Sequence, residues 1–106
     1  MTTEKIISIV EMYEERLQAA GVSKIRMDPS RMFASLSQDE ILAHAHFLID
    51  GVKEFVKQPG KEGKTGRHLA SIQICLSFAG WYTLDDLMNH NRPDRGGQDD
   101  DREDSK

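Results

Sequence analysis

The stretch HLASIQICLSFAGWYTLDDL, His68 to Leu87, carries no formally charged side chain between His68 and Asp85. In a chain with 30% Asp, Glu, Lys and Arg, a gap of that length needs a physical cause. A membrane span, a buried central helix and a surface reserved for a partner would each produce one. The run falls short of the ~20 apolar residues needed to cross a bilayer. It also contains Ser71, Gln73, Ser77 and Gly80, so no membrane segment is expected. On a helical wheel Leu69, Ile72, Cys75, Leu76 and Ala79 make one apolar face. Ala70, Ile74, Phe78 and, past the glycine, Trp81 make a second. A helix apolar on two sides is a central helix with neighbours on both flanks, unless one face is kept for a partner.

Working outward, Gly80 ends this helix, and Thr83-Leu84-Asp85-Asp86 reads as a variant capping box opening a short helix that stops near His90, before Pro93. Upstream, Thr65 or Gly66 is expected to open the charge-free helix after the flexible connector PGKEGKTG. Ser37-Gln38-Asp39-Glu40 is a capping box for a helix from about Gln38 to Lys57. Its stripe is Ile41, Leu42, Ala45, Leu48, Ile49, Val52, Phe55 and Val56. Phe47 falls off that stripe, on a line with Ala43 and Gly51. A first helix is expected over about 4–20, capped by Thr3, with Ile6, Val10, Tyr13, Leu17 and Ala20 at helical spacing and Gly21 as its stop. Residues 22–36 are irregular: Asp28-Pro29 suits a single turn, and Met27, Met32 and Phe33 are expected to plug one end of the core. The resulting fold class is all-α: a small bundle of three main helices plus a short C-terminal helix over residues 1–93.

A chain of 106 residues holds one domain. The net charge is −4, of which residues 94–106 carry −3 (six acids, three bases), leaving −1 for residues 1–93. The tail has no apolar residue to bury, so it is expected to be disordered. An acidic docking or nucleic-acid-mimicking role for it is weaker than a solvated tail. The near-neutral body lacks the Lys and Arg excess of a general nucleic-acid binder. One cysteine, Cys75, excludes an internal disulfide framework and suits a reducing cytosol. The N-terminus has neither the basic start nor the long apolar core of a signal peptide.

Candidate chemistry is sparse. Gln58 to Thr65 resembles a P-loop superficially, but Gln58 stands where glycine is required and a helix precedes it in place of a strand. A simpler anion site is conceivable where Lys61, Lys64, Thr65, Arg67 and His68 gather at a helix start, within the basic 53–68 connector. Glu54 and Glu62 offset it, and a solvated loop is the simpler reading. His44 and His46 lie two apart and diverge on a helix. No set of residues has zinc-ligand spacing, no base-plus-orienter arrangement accompanies Cys75, and neither cofactor nor metal is expected. A DNA-reading helix-turn-helix is weakened by the uncharged third helix. Gln73, an amide between two apolar faces, needs hydrogen-bond partners, either in the Asn91-Arg92 segment or on a partner.

From about Ile41 to Pro93 the chain resembles a family of small uncharacterised helical proteins of tailed phages and prophages. ILAHAHFLID, GRHLASIQICLSFAGWYTLDDL and, most specifically, YTLDDLMNHNRP carry the resemblance. Arg67, Leu69, Ile72, Gln73, Gly80, Tyr82, Thr83, Leu84, Leu87, Asn91, Arg92 and Pro93 match its pattern. The chain departs from it at Ile74, where the family usually has glycine. The resemblance implies a phage-encoded protein acting in the bacterial cytoplasm and carries no activity with it.

The function expected is therefore non-enzymatic: a phage or prophage accessory protein that binds another protein or a second copy of itself as a homodimer. Phe47, Gln73, Phe78 and Trp81 are the interaction candidates. The alternative is phosphate, nucleotide or nucleic-acid binding through the basic connector.

Overall fold

The computed structural model describes residues 1–93, so the acidic tail lies outside the described residues. Among them the chain builds four α-helices, one short 3-10 turn and no strand. The helices are α1 (Thr3–Ala19), α2 (Gln38–Phe55), α3 (Glu62–Phe78) and α4 (Leu84–Asn91), and the 3-10 turn spans Phe33–Ser35.

Side-chain caps set the starts of α1, α2 and α4. Ser37 Oγ accepts from Glu40 N at 3.1 Å and Glu40 Oε1 accepts from Ser37 N at 2.8 Å, the reciprocal box expected for α2. Thr83 and Asp86 repeat it at α4. At α1 the cap is Thr2, not Thr3: its hydroxyl accepts from Lys5 N at 3.0 Å, and Thr3 is already helical. Two stops are Schellman turns. Gly21 (φ 73°) and Gly80 (φ 83°) take the left-handed conformation. Val22 N and Trp81 N then donate back to Leu17 O and Leu76 O, and both side chains pack on the core. α2 stops at Phe55, short of Lys57, because a tight turn from Gln58 N to Phe55 O follows. α3 starts nearly a turn before Thr65, since Thr65 N already bonds Lys61 O.

The solvent-free centre combines Val10, Tyr13 and Leu17 of α1 with Ala45, Ile49 and Val52 of α2 and Ile72, Cys75 and Leu76 of α3, all 0% exposed. The central helix is α2. It packs extensively on both α3 and α1, while contacts between other element pairs are slighter. This corrects the expectation that α3 has neighbours on both flanks. The reason lies in residues 22–27, which run along α2 in place of α3. His46 Nδ1 donates to Val22 O at 2.9 Å, Ile25 N donates to Ala43 O at 3.2 Å, and Met27 N donates to His44 Nδ1 at 3.3 Å. Ala43 and His46 are buried in consequence, which widens the covered arc of α2.

Further on, Asp28 Oδ1 accepts from Ser30 N and Ser30 Oγ, closing the expected single turn. Arg31 donates to Ser35 O and to Glu40 Oε2. These bonds hold the segment outside the core, so Met32 is 78% exposed and does not plug it. Phe33 lies at the edge, and Leu36 is the residue that turns inward.

A polar lock fastens α4. Gln73 and Asn91 form a reciprocal amide pair, Nε2 to Oδ1 at 2.7 Å and Nδ2 to Oε1 at 3.1 Å. Gln73 Nε2 also donates to Tyr13 OH at 3.1 Å. The Tyr13 hydroxyl is also hydrogen-bonded to His90 Nδ1 at 2.7 Å. Burial pushes the Tyr13 phenol up to about 12, keeping it protonated for this role. Tyr13→Phe removes the central hydroxyl and strands polar groups around it. It is expected to cost about 1–3 kcal/mol in denaturant unfolding and to speed hydrogen exchange in α4 more than in α2.

An ion cluster ties α1 to the extended segment and to α2. Lys53 donates to Glu14 Oε1, Lys24 lies 3.6 Å from Glu14 Oε2, and Lys24 reaches Asp50 Oδ1 at 3.2 Å. The Lys53 hydrogen bond outweighs burial and holds the Glu14 carboxyl below its ordinary value of 4.5. With the folded value depressed, this stabilisation is complete above the unfolded value and is lost as pH falls through the folded one. Melting temperature should therefore decline on acidification below about pH 4.5, and Glu14→Gln should make that decline shallower.

Candidate interaction surface

Because α2 and α1 cover α3 from one side only, its two apolar faces part ways. Leu69, Ile72, Cys75, Leu76 and Ala79 are buried. Ala70, Ile74 and Phe78 stand on the open side, with Ile74 44% and Phe78 64% exposed. The Phe33 ring sits 6.0 Å from Phe78, extending the apolar strip onto the 3-10 turn. Phe33 also lines a groove of about 440 Å³ that runs beside α2 and includes Phe47, whose ring stacks on His44. Phe33 is thus the link between Phe78 and Phe47.

The other two interaction candidates lie elsewhere. Trp81 is half-buried, packs on the core as the residue after Gly80, and carries the Arg16 guanidinium 4.5 Å above its ring. It closes a seam between α1 and the end of α3. Gln73 is buried and spends its amide on Tyr13 and Asn91, so it is an internal tie and no part of an exposed surface. Sequence reasoning missed Leu84 and Met88, 66% and 55% exposed, which stand one turn apart on α4. The signal was available: in so short a helix, one turn fixed inward by Leu87 leaves residues on the opposite side uncovered.

The anion candidates do not converge. Thr65 is buried, and its hydroxyl bonds Lys61 O inside the helix. Lys64 extends over the Phe55 ring at 4.5 Å, and His68 meets the same ring edge-on at 5.3 Å. Both line the groove. Arg67 lies beside Gly63, and neither Arg67 nor Lys61 lines the groove. Gly51 allows the close approach expected of it: a β-carbon there would come within 3.0 Å of His68 Cδ2.

Burial pushes the Cys75 thiol up to about 11, which leaves it protonated at neutral pH. Among the described residues no cluster of His, Cys, Asp and Glu is arranged to hold a metal, and no helix is long and apolar enough to cross a membrane. His46 Nε2 is buried without a partner among the described residues, on a ring already committed to Val22. No protein family, curated protein or solved structure matches the chain.

Proposed function

We propose that this chain is a non-enzymatic docking module, a phage or prophage accessory protein that works in the bacterial cytoplasm by binding another protein. The open face of α3 is its docking surface. The observation that supports this reading is the Ile74–Phe78–Phe33 strip, left in water by a chain that closes the opposite face of the same helix completely. Single exposed apolar residues are ordinary, whereas a contiguous apolar strip marks an interaction surface. A second copy is the simplest partner, because a symmetric pair uses one patch twice. Phosphate binding by the connector is the weaker reading, since Thr65 spends its hydroxyl on Lys61 O, Lys64 and His68 lie against the Phe55 ring, and Lys61 and Arg67 stand outside the groove.

Ile74→Ser and Phe78→Ser test the surface. Both are exposed positions, so each should change stability by no more than about 0.5 kcal/mol. Two measurements are needed: light scattering across a concentration series, and affinity capture of the tagged chain from a lysogenic or infected host with mass spectrometry. Wild type is expected to self-associate or to retain a protein that the double variant loses. A monomeric wild type whose captured proteins match those of the double variant would refute the reading.

A further inference from the structure

The groove beside α2 has a floor and a charge distribution of its own. His44, Phe47, Leu48 and Phe55 fall on one face of α2. The His44 ring stacks on Phe47 at 6.2 Å and 17°. His44 and Phe55 are separated by about 16 Å along the axis at 1.5 Å per residue. A cation stands near each end. At one end Arg26 lies close enough to act on His44, and at the other Lys64 sits over Phe55. Neither has a carboxylate partner among the described residues. The groove's acid, Asp28, is hydrogen-bonded by Ser30 and keeps its charge near Arg31, which is also paired with Glu40. In a body of net charge −1, three cations (Arg26, Arg31 and Lys64) and one acid line this recess, with apolar side chains between Arg26 and Lys64.

The spacing selects the occupant. A floor about 16 Å long exceeds the reach of one phosphate, but matches about five residues of extended chain at ~3.3 Å each. The floor asks for a bulky apolar side chain in the middle. The chain's own acidic tail has no apolar residue and does not meet that requirement. We propose that the groove seats an extended acidic peptide segment of the protein partner. Its carboxylates lie toward Arg26 and Lys64, and an aromatic or aliphatic side chain rests on Phe47 and Leu48. This rests on the docking-module reading and adds a second contact to it.

His44 reports on the event. Its Nδ1 accepts from Met27 N, so the neutral ring carries its proton on Nε2. Burial, then the charge of Arg26, then His68 hold its pKa below the ordinary 6.5. A carboxylate seated at Arg26 offsets that charge and raises it.

The test is an NMR titration of the full chain with three synthetic capped peptides: Asp-Ser-Phe-Ser-Glu, its counterpart with lysine at both ends, and its counterpart with glycine at the centre. Inorganic phosphate is a fourth arm. The acidic phenylalanine peptide is expected to shift the His44 and His68 ring signals saturably at millimolar concentration and to raise the His44 pKa. The lysine and glycine peptides should not. Joint Arg26→Ala and Lys64→Ala substitution should weaken binding at least fivefold, while Ile74→Ser, away from the groove, leaves it unchanged. No saturable shift, equal shifts with the lysine peptide, or the same shifts with phosphate alone would overturn the proposal. Any of these results leaves the α3 surface standing, because that surface is read by scattering and capture with Ile74 and Phe78 variants.

Discussion

The whole arrangement depends on residues 22–27 lying along α2. Three bonds place them there, from His46 to Val22 O, from Ile25 N to Ala43 O and from Met27 N to His44. None is strong alone; a neutral hydrogen bond contributes about 0.5–1.5 kcal/mol net. Together with Lys24, which joins Glu14 and Asp50, they give α2 a third covered side. α2 becomes the central helix, and α3 is left with one face inside and one outside. The same bonds raise one wall of the groove, since Arg26, Met27 and Asp28 follow directly. Exposed apolar strip and charged groove are two consequences of one packing choice.

The other organising feature is the lock of Gln73, Asn91, Tyr13 and His90. α4 buries only Leu87, too little to hold eight residues by burial alone. Burying one such side chain contributes about 1.5–3 kcal/mol, set against an ordering cost of about 1–2 kcal/mol for each residue. The amide pair and the tyrosine hydroxyl contribute direction as well as energy, fixing where α4 sits against α1 and α3. The rings of Tyr13, Tyr82 and His90 surround the lock, with Tyr82 and His90 edge-on at 4.8 Å.

Much of this was legible in the residues because local chemistry writes it. The capping boxes at Ser37 and Thr83, the glycine stops at 21 and 80, and the inner stripes of α1 and α2 depend on neighbours within a turn. The partner of Gln73 was legible too, since a buried amide has few choices and Asn91 is near in the chain. What lay beyond reach was the irregular segment. Nothing in VSKIRMDPSRMF has a period, so its path, and which helix it covers, is decided by contacts far away in sequence. The two apolar faces of α3 were read correctly, with the second left between burial and a partner: Phe78 stays in water, while Trp81, one residue past the glycine, folds back under Arg16. The anion set was read from crowding along the chain, which the fold divides: Thr65 turns inward, Lys64 and His68 lie against Phe55, and Arg67 stands outside the groove.

In this fold α3 is covered on one side only. Hydroxyl-radical footprinting of the full chain, read residue by residue by mass spectrometry at a concentration where scattering shows a monomer, tests it directly. Phe78, Phe33 and Met32 are expected to label strongly, while Leu76, Ile72 and Cys75 stay protected. Phe78 protected to the same degree as Leu76 in the monomer would contradict the account, because α3 would then be enclosed on both faces.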